Sequence, residues 1–142
     1  MKNYDIIIIG AGAAGLFAAR SALAVGKSVL ILEMGGEPAR KVAISGGGHC
    51  NITNSAAKFD RYFGRNPDFV RGALSRFTPE SMLNWCYDHK LKLEEKTSGR
   101  YFCADGASAV VRALRHDTQN ADIQYNTLIT NIEKQNDMFV IN

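Results

Sequence analysis

The chain has 142 residues, 46% of them hydrophobic and 22% charged, which suits one soluble globular domain with a core and excludes a disordered chain. Its formal net charge of +3 is too mild and too dispersed to imply nucleic acid as a partner. No apolar run reaches the roughly 18 residues a bilayer demands, and three widely spaced cysteines, without a CxxC or a His/Cys cluster at zinc-ligand spacing, argue against a disulfide framework or a structural metal.

At the N-terminus, Lys2, the apolar run from Ile6 to Ala19 and Ala22-Leu23-Ala24 imitate a secretion signal. Asp5, Arg20 and glycines at fixed spacing argue against one, and the cysteine usage points to a reducing compartment, so a cytoplasmic location is expected. Residues 5–9 form a short β-branched run and predict a strand buried on both faces. A helix follows over 13–25, with Gly26 as its stop, and residues 28–33 predict a second buried strand. The first third is therefore a βαβ unit with a right-handed crossover.

Residues 34–54 read as irregular and Gly-rich, apart from the apolar piece Val42 to Ile44. A helix is expected over 67–77, and Thr78 caps the next one with Pro79 at its first position. Arg61, Arg65, Arg71 and Arg76 are the densest basic group and read as a solvated helix face rather than a phosphate-binding patch. A hairpin is expected around Leu91 to Cys103, then a helix over 107–117 capped by Asp105. His89 and His116 fall near helix C-terminal ends, where they answer the dipole. Strands are expected at 123–125, 128–132 and 139–141, with Asn136-Asp137 turning between the last two. The chain stops just after a strand begins, as the front part of a larger protein would.

Gly10-Ala11-Gly12-Ala13-Ala14-Gly15 links the first strand to the first helix. The first glycine permits the tight turn, the second lets backbone approach a pyrophosphate, and the third lets helix pack close on strand. The helix N-terminus then aims unpaired N–H groups and its positive dipole end at the phosphates. Glu33 ends the second strand at the distance expected for the carboxylate that takes ribose hydroxyls, and an acid there disfavours a 2′-phosphate. This pattern does not by itself separate FAD from NAD.

Ser45-Gly46-Gly47-Gly48 follows the second strand, with Arg40 and Lys41 just upstream. Backbone free of side chains can lie against a flat or phosphorylated ligand and donate N–H bonds. Arg40 and Lys41 supply charge for a pyrophosphate or an anionic flavin, and Ser45 and Asn51 supply polar groups for ring or ribityl oxygens. The alternative is a mobile surface loop. Cys50 has no partner cysteine a few residues away and reads as a small packing residue. Asn51-Ile52-Thr53 is a chance sequon.

Together "GAGAAGLFAA", "ARKVAISGGGHCNITN" and "SGRYFCADGASAVVRAL" resemble the bacterial NAD(FAD)-utilising dehydrogenase family, which includes aminoacetone-oxidase-like and BaiN-like flavoproteins. The resemblance covers essentially the whole chain. It implies an α/β Rossmann-like FAD/NAD(P)-binding domain: a glutathione-reductase-like parallel sheet with helices and a small antiparallel β meander, incomplete here. Residues 1–142 would be its N-terminal part, with the substrate domain and the C-terminal FAD segment lying beyond them. The implied cofactor is FAD, with NAD(P)H as a candidate electron donor. The implied cofactor-binding residues are Gly10, Gly12, Ala13, Ala14, Gly15, Glu33, Met34, Arg40, Lys41, Ser45, Gly46, Gly47, Gly48 and Asn51, and Ile129 through its backbone at the adenine. Two positions depart from the family pattern: Ala39 stands where glycine is usual, and His49 where arginine is common.

The function so implied is the FAD-binding portion of a flavin-dependent oxidoreductase, moving electrons or hydride on a small organic substrate, with neither nucleic acid nor membrane as partner. Oxidation of small amines and reduction of unsaturated carbons both fit, and no residue assigns a catalytic role. Alternatives are an NAD-linked dehydrogenase domain and a truncated, non-catalytic nucleotide-binding product. A tRNA-modifying flavoprotein also begins with such a fingerprint, but the modest charge and the lack of an interleaved basic and aromatic patch weigh against it.

Overall fold

The computed structural model of the protein describes residues 2–142. In chain order its elements are β1 (Ile6–Ile9), α1 (Ala13–Ala24), β2 (Val29–Leu32), α2 (Arg40–Ala43), β3 (Asn51–Asn54), α3 (Arg71–Arg76), α4 (Pro79–Asp88), β4 (Leu93–Lys96), β5 (Arg100–Cys103), α5 (Ala107–Asp117), β6 (Asp122–Gln124), β7 (Ile132–Gln135) and β8 (Met138–Ile141). The chain divides into two compact units, Met1–Lys41 with Leu114–Asn142, and Val42–Ala113.

The first unit is built on the expected βαβ. Strand β2 lies between β1 and β6, and all three run parallel. Leu16, Ala19 and Ala22 of α1 are buried, as is every residue of β2. The isoleucines of β1 were expected to be buried on both faces, but Ile6 and Ile9 stay 37% and 54% exposed. Among the described residues β1 pairs on one side only, with β2, whereas β2 is flanked on both sides. At the entry to both strands, the Asp5 carboxylate accepts the Ser28 amide (2.8 Å) and hydroxyl (2.7 Å), while the Asp5 amide donates to Ser28 Oγ (2.9 Å). Those bonds hold the Asp5 carboxyl below its ordinary value. Arg20 of α1 pairs with Asp117 at the end of α5, at 2.9 Å.

Strands β7 and β8 form a hairpin in register Ile132↔Ile141, turning at Asn136-Asp137 with Asn136 at φ 55°. The strand expected over 128–132 begins only at Ile132. Pairing reaches back no further than Thr130 and Asn131, whose amides both donate to the Asn142 carbonyl, while the Thr127 amide donates instead to the carbonyl of Glu33.

The second unit holds an antiparallel sheet in the order β3-β5-β4, including the expected hairpin. Helix α4 starts as its sequence requires. Thr78 Oγ1 accepts the Ser81 amide (3.1 Å), Ser81 Oγ accepts the Thr78 amide (3.3 Å), and Pro79 sits in the first turn. His89 closes that helix, its Nδ1 lying 2.8 Å from the Trp85 carbonyl. Asp105, expected to cap α5, holds the Lys92 amide on Oδ2 (2.8 Å). The helix expected over 67–77 is divided into a 3-10 turn, Pro67–Val70, and the single short helix α3. Arg61 and Arg65 lie outside any α-helix, so the four arginines do not share one helix face. Arg40 and Lys41, expected in an irregular stretch, are helical in α2 together with Val42 and Ala43 of the apolar piece. Cys50, Cys86 and Cys103 are free and buried. Burial pushes the Cys86 thiol up to about 12 and raises that of Cys103, which marks them as inert packing groups.

Candidate functional site

In the first unit, three residues carry the chain from β1 into α1 at the carboxyl end of the parallel strands. Gly10 takes φ 95° and donates its N–H to the Leu32 carbonyl at 2.7 Å. Gly12 caps α1 in extended conformation with no side-chain acceptor on the first-turn amides. Gly12, Ala13 and Ala14 are exposed, so those amides open outward. Gly15 is held by close approach: a Cβ there would sit 2.0 Å from the Gly10 carbonyl oxygen and 3.2 Å from Ile8 Cγ2. At Gly10 and Gly12, by contrast, a Cβ would meet nothing within 4 Å. The turn is thus tight beneath and open above, which fits a pyrophosphate set against bare backbone.

Glu33 pins this turn from the end of β2. Its Oε2 accepts the Ala11 amide and its Oε1 the Gly35 amide, both at 2.7 Å. These two bonds, with the Arg40 charge nearby, hold its carboxyl below the ordinary 4.5. Each oxygen keeps a further lone pair, so the group can still accept ribose hydroxyls. Arg40 lies beside Gly35, its Cδ and Nη1 within 3.5 Å of where a Gly35 Cβ would stand. Met34 is 71% exposed, and Lys41 is exposed in α2. The segment after β6 is stitched to the same place, because the Glu33 amide donates to Gln124 O, the Asn126 amide to Gly35 O and the Thr127 amide to Glu33 O. Ile129 lines a cavity of about 240 Å³ with Leu30, Leu32, Gln124 and Thr127. The first unit therefore gathers Gly10, Gly12, Ala13, Ala14, Gly15, Glu33, Met34 and Arg40 at one end of the sheet, with Ile129 in the segment that follows β6.

In the second unit, Ser45–Gly48 is a 3-10 turn broken by left-handed residues: Gly46 at φ 56°, Gly47 at φ 63° and Gly48 at φ 94°. All three are exposed, and a Cβ on Gly47 or Gly48 would meet nothing within 4 Å. Ser45 Oγ closes the turn on the Val42 carbonyl (2.8 Å). The His49 amide donates to Gly46 O and the Cys50 amide to Ser45 O. Asn51 is exposed and opens β3, opposite Phe102 of β5.

Two features escaped the sequence. The amides of Ala11 and Gly35 fix Glu33, and main-chain donors leave no mark in a residue pattern. Ala39, where the family pattern has glycine, is buried at φ 54° and donates to the Ala11 carbonyl at 2.8 Å. A left-handed backbone explains why glycine suits that position.

The HI0933-like protein Rossmann domain model matches residues 4–142. The chain belongs to this family. The resemblance read from its three motifs agrees, and the parallel β1-β2-β6 sheet with α1 is the Rossmann-like fold it implied. HI0933-like relatives include the ribosomal RNA dihydrouridine synthase of Escherichia coli, 38% identical over 125 residues, covering 88% of this chain and 31% of that protein. The 3-dehydro-bile acid delta(4,6)-reductase of Clostridium scindens is 32% identical over 127 residues, covering 84% of this chain and 30% of that protein. The chain thus spans about a third of the length of the curated relatives it matches. Among solved structures, the 3-ketosteroid-delta4-(5alpha)-dehydrogenase of Rhodococcus jostii RHA1 superposes with a TM-score of 0.61 at 13% identity, over 97% of this chain and 43% of that one. No helix among the described residues is long and apolar enough to cross a membrane.

Proposed function

We propose that this chain is the FAD-binding portion of a flavin-dependent reductase that saturates a carbon–carbon double bond conjugated to a carbonyl group. The observation that carries the reading is the bare turn Gly10–Gly15 ahead of an uncapped helix, with the Glu33 carboxylate at the neighbouring strand end. Bound FAD supplies the hydride chemistry, and NAD(P)H is the proposed electron donor. The chain's own residues hold and orient the group. Amides of Gly12 to Gly15 face the pyrophosphate, Glu33 the ribose, and the main chain at Ile129 the adenine. Arg40, Lys41, Ser45, Gly46, Gly47, Gly48 and Asn51 serve the remaining phosphate, ribityl and ring atoms, with Met34 beside the adenosine half. A lowered carboxyl keeps Glu33 ionised at neutral pH, so it accepts hydroxyls and repels a 2′-phosphate.

For the substrate, the activities after which two relatives are named share one chemistry. Making dihydrouridine and reducing a 3-oxo-delta(4,6) bile acid both saturate a double bond in conjugation with a carbonyl. The higher identity and coverage favour a uridine of ribosomal RNA. The expectation of a small substrate came from the family resemblance, and that of no nucleic acid from the mild net charge and the lack of an interleaved basic and aromatic patch, although Phe59, Arg61, Tyr62, Phe63, Arg65 and Phe69 do interleave. A cytoplasmic location accords with that substrate. The test incubates the purified full-length protein and NADPH with ribosomal RNA from a strain lacking the gene. Nucleoside mass spectrometry should detect dihydrouridine. RNA left unchanged, while an enone steroid is reduced, would overturn the RNA reading and keep the reaction class.

A further inference from the structure

Every residue from Lys58 to Phe69 is exposed. That run carries four rings where water would ordinarily be met by polar groups: Phe59 at 43%, Tyr62 at 42%, Phe63 at 92% and Phe69 at 80% exposure. Apolar surface that gathers in one place marks an interaction site, and these four rings fall within one stretch of eleven residues, Phe59 to Phe69. Charge is concentrated in the same place. Between 58 and 76 there are five basic and two acidic residues, a net +3 that equals the whole chain's.

The segment is ordered by its own contacts. The Arg71 guanidinium lies 3.9 Å from the Phe59 ring centroid and pairs with Asp68 at 2.8 Å, tying the 3-10 turn Phe59–Arg61 to the start of α3. Arg61 and Arg65 make no ion pair among the described residues. They alternate along the chain with Tyr62, Phe63 and Phe69. Bare rings alone would suit any apolar partner, and bare arginines any anion. Rings and guanidinium groups alternating in one exposed stretch suit a chain whose bases stack and whose phosphates take planar, paired donors.

We propose that residues 58–76 are a docking surface for single-stranded RNA, with Tyr62, Phe63 and Phe69 as stacking platforms and Arg61 and Arg65 on the phosphates. The proposal rests on the reading of the substrate as ribosomal RNA and says where this chain would grip it.

The test uses the full-length protein and a fluorescein-labelled, unstructured RNA of about 12 nucleotides, within the usual reach of such surfaces. Anisotropy should show Phe63→Ala with Phe69→Ala binding at least about tenfold more weakly. Arg61→Gln with Arg65→Gln should flatten the dependence of log K on log salt by about 1.4, the value for two lost phosphate contacts on a single strand. Circular dichroism should be unchanged in both, since these side chains are exposed. Wild-type affinity and salt slope in both double variants would overturn the surface. So would variants that bind the RNA normally but lose binding to vesicles of anionic phospholipid, or that lose stability because another part of the protein covers the rings. Dihydrouridine formation is scored separately. If it persists while both variants bind RNA normally, the surface fails and the substrate reading stands. If it is absent while RNA binding still depends on the patch, the substrate reading fails and the surface stands.

Discussion

Two glycine-rich turns serve the same chain for different physical reasons. At Gly10–Gly15 the decisive constraint is space: a methyl on Gly15 would overlap the Gly10 carbonyl at 2.0 Å, and Glu33 locks the turn from the next strand. At Gly46–Gly48 the constraint is handedness, since three successive residues have positive φ and a methyl on Gly47 or Gly48 would touch nothing. Composition alone does not distinguish them. The first turn should fail by collision and the second only by strain.

The sharpest separation comes from Gly15→Ala. Backbone must move to admit the methyl, so a loss of about 3 kcal/mol or more is expected in chemical denaturation. A loss under about 1 kcal/mol would mean that the turn is as loose as the second one. Glu33→Gln comes next. Its amide can satisfy one of the two backbone donors but opposes the other with an N–H, which should cost about 2 kcal/mol. The carboxyl of Glu33 lies below its ordinary 4.5 in the folded chain. Its contribution is therefore present above about that pH and is lost as pH falls through the lower folded value. Acid titration of stability should show a steeper decline below pH 4.5 in the wild type than in Glu33→Gln.

Gly47→Ala should cost about 1 kcal/mol, the price of a left-handed alanine without a clash, and Gly47→Asn less. A larger loss would mean that hidden contacts restrict the second turn too. Ala39→Gly is expected to change stability least. Relief of a left-handed alanine, about 1 kcal/mol, is offset by a lost buried methyl and a more flexible unfolded chain. A shift beyond about 1 kcal/mol either way, read from the denaturation midpoint, would show that one of these terms is misjudged.

Where local chemistry decides, the sequence was enough. Alternating strand and helix signals, the Gly10–Gly15 spacing, Thr78-Pro79 as a helix start and Asn136-Asp137 as a turn all depend on neighbours in the chain. Where long-range packing decides, it was not. Four isoleucines cannot announce which faces of β1 the described residues leave open. Residues 128–131 look strand-like, but the Thr127 amide just ahead of them goes to the Glu33 carbonyl, far away in sequence, and those of Thr130 and Asn131 both go to Asn142. The Gly46–Gly48 triplet signalled backbone freedom without saying which conformation used it. The arginines near residue 65 read as one solvated helix face, but Arg61 and Arg65 lie outside any α-helix, and the exposure of the rings between them became evident only from the surface.

The central claim is that the Gly10–Gly15 turn holds a dinucleotide flavin on bare backbone, and Gly12→Val tests it most directly. Gly12 has φ −76° and ψ −179°, which valine adopts readily, and its Cβ would meet no protein atom within 4 Å. The added Cβ therefore takes space from no atom of the described residues and projects into the room where the ligand is proposed to bind. The account predicts that the full-length wild-type protein carries about one flavin per chain by its visible absorbance. The valine variant should fold with the same circular dichroism and carry none. A folded Gly12→Val protein that retains flavin at wild-type stoichiometry and affinity would contradict it.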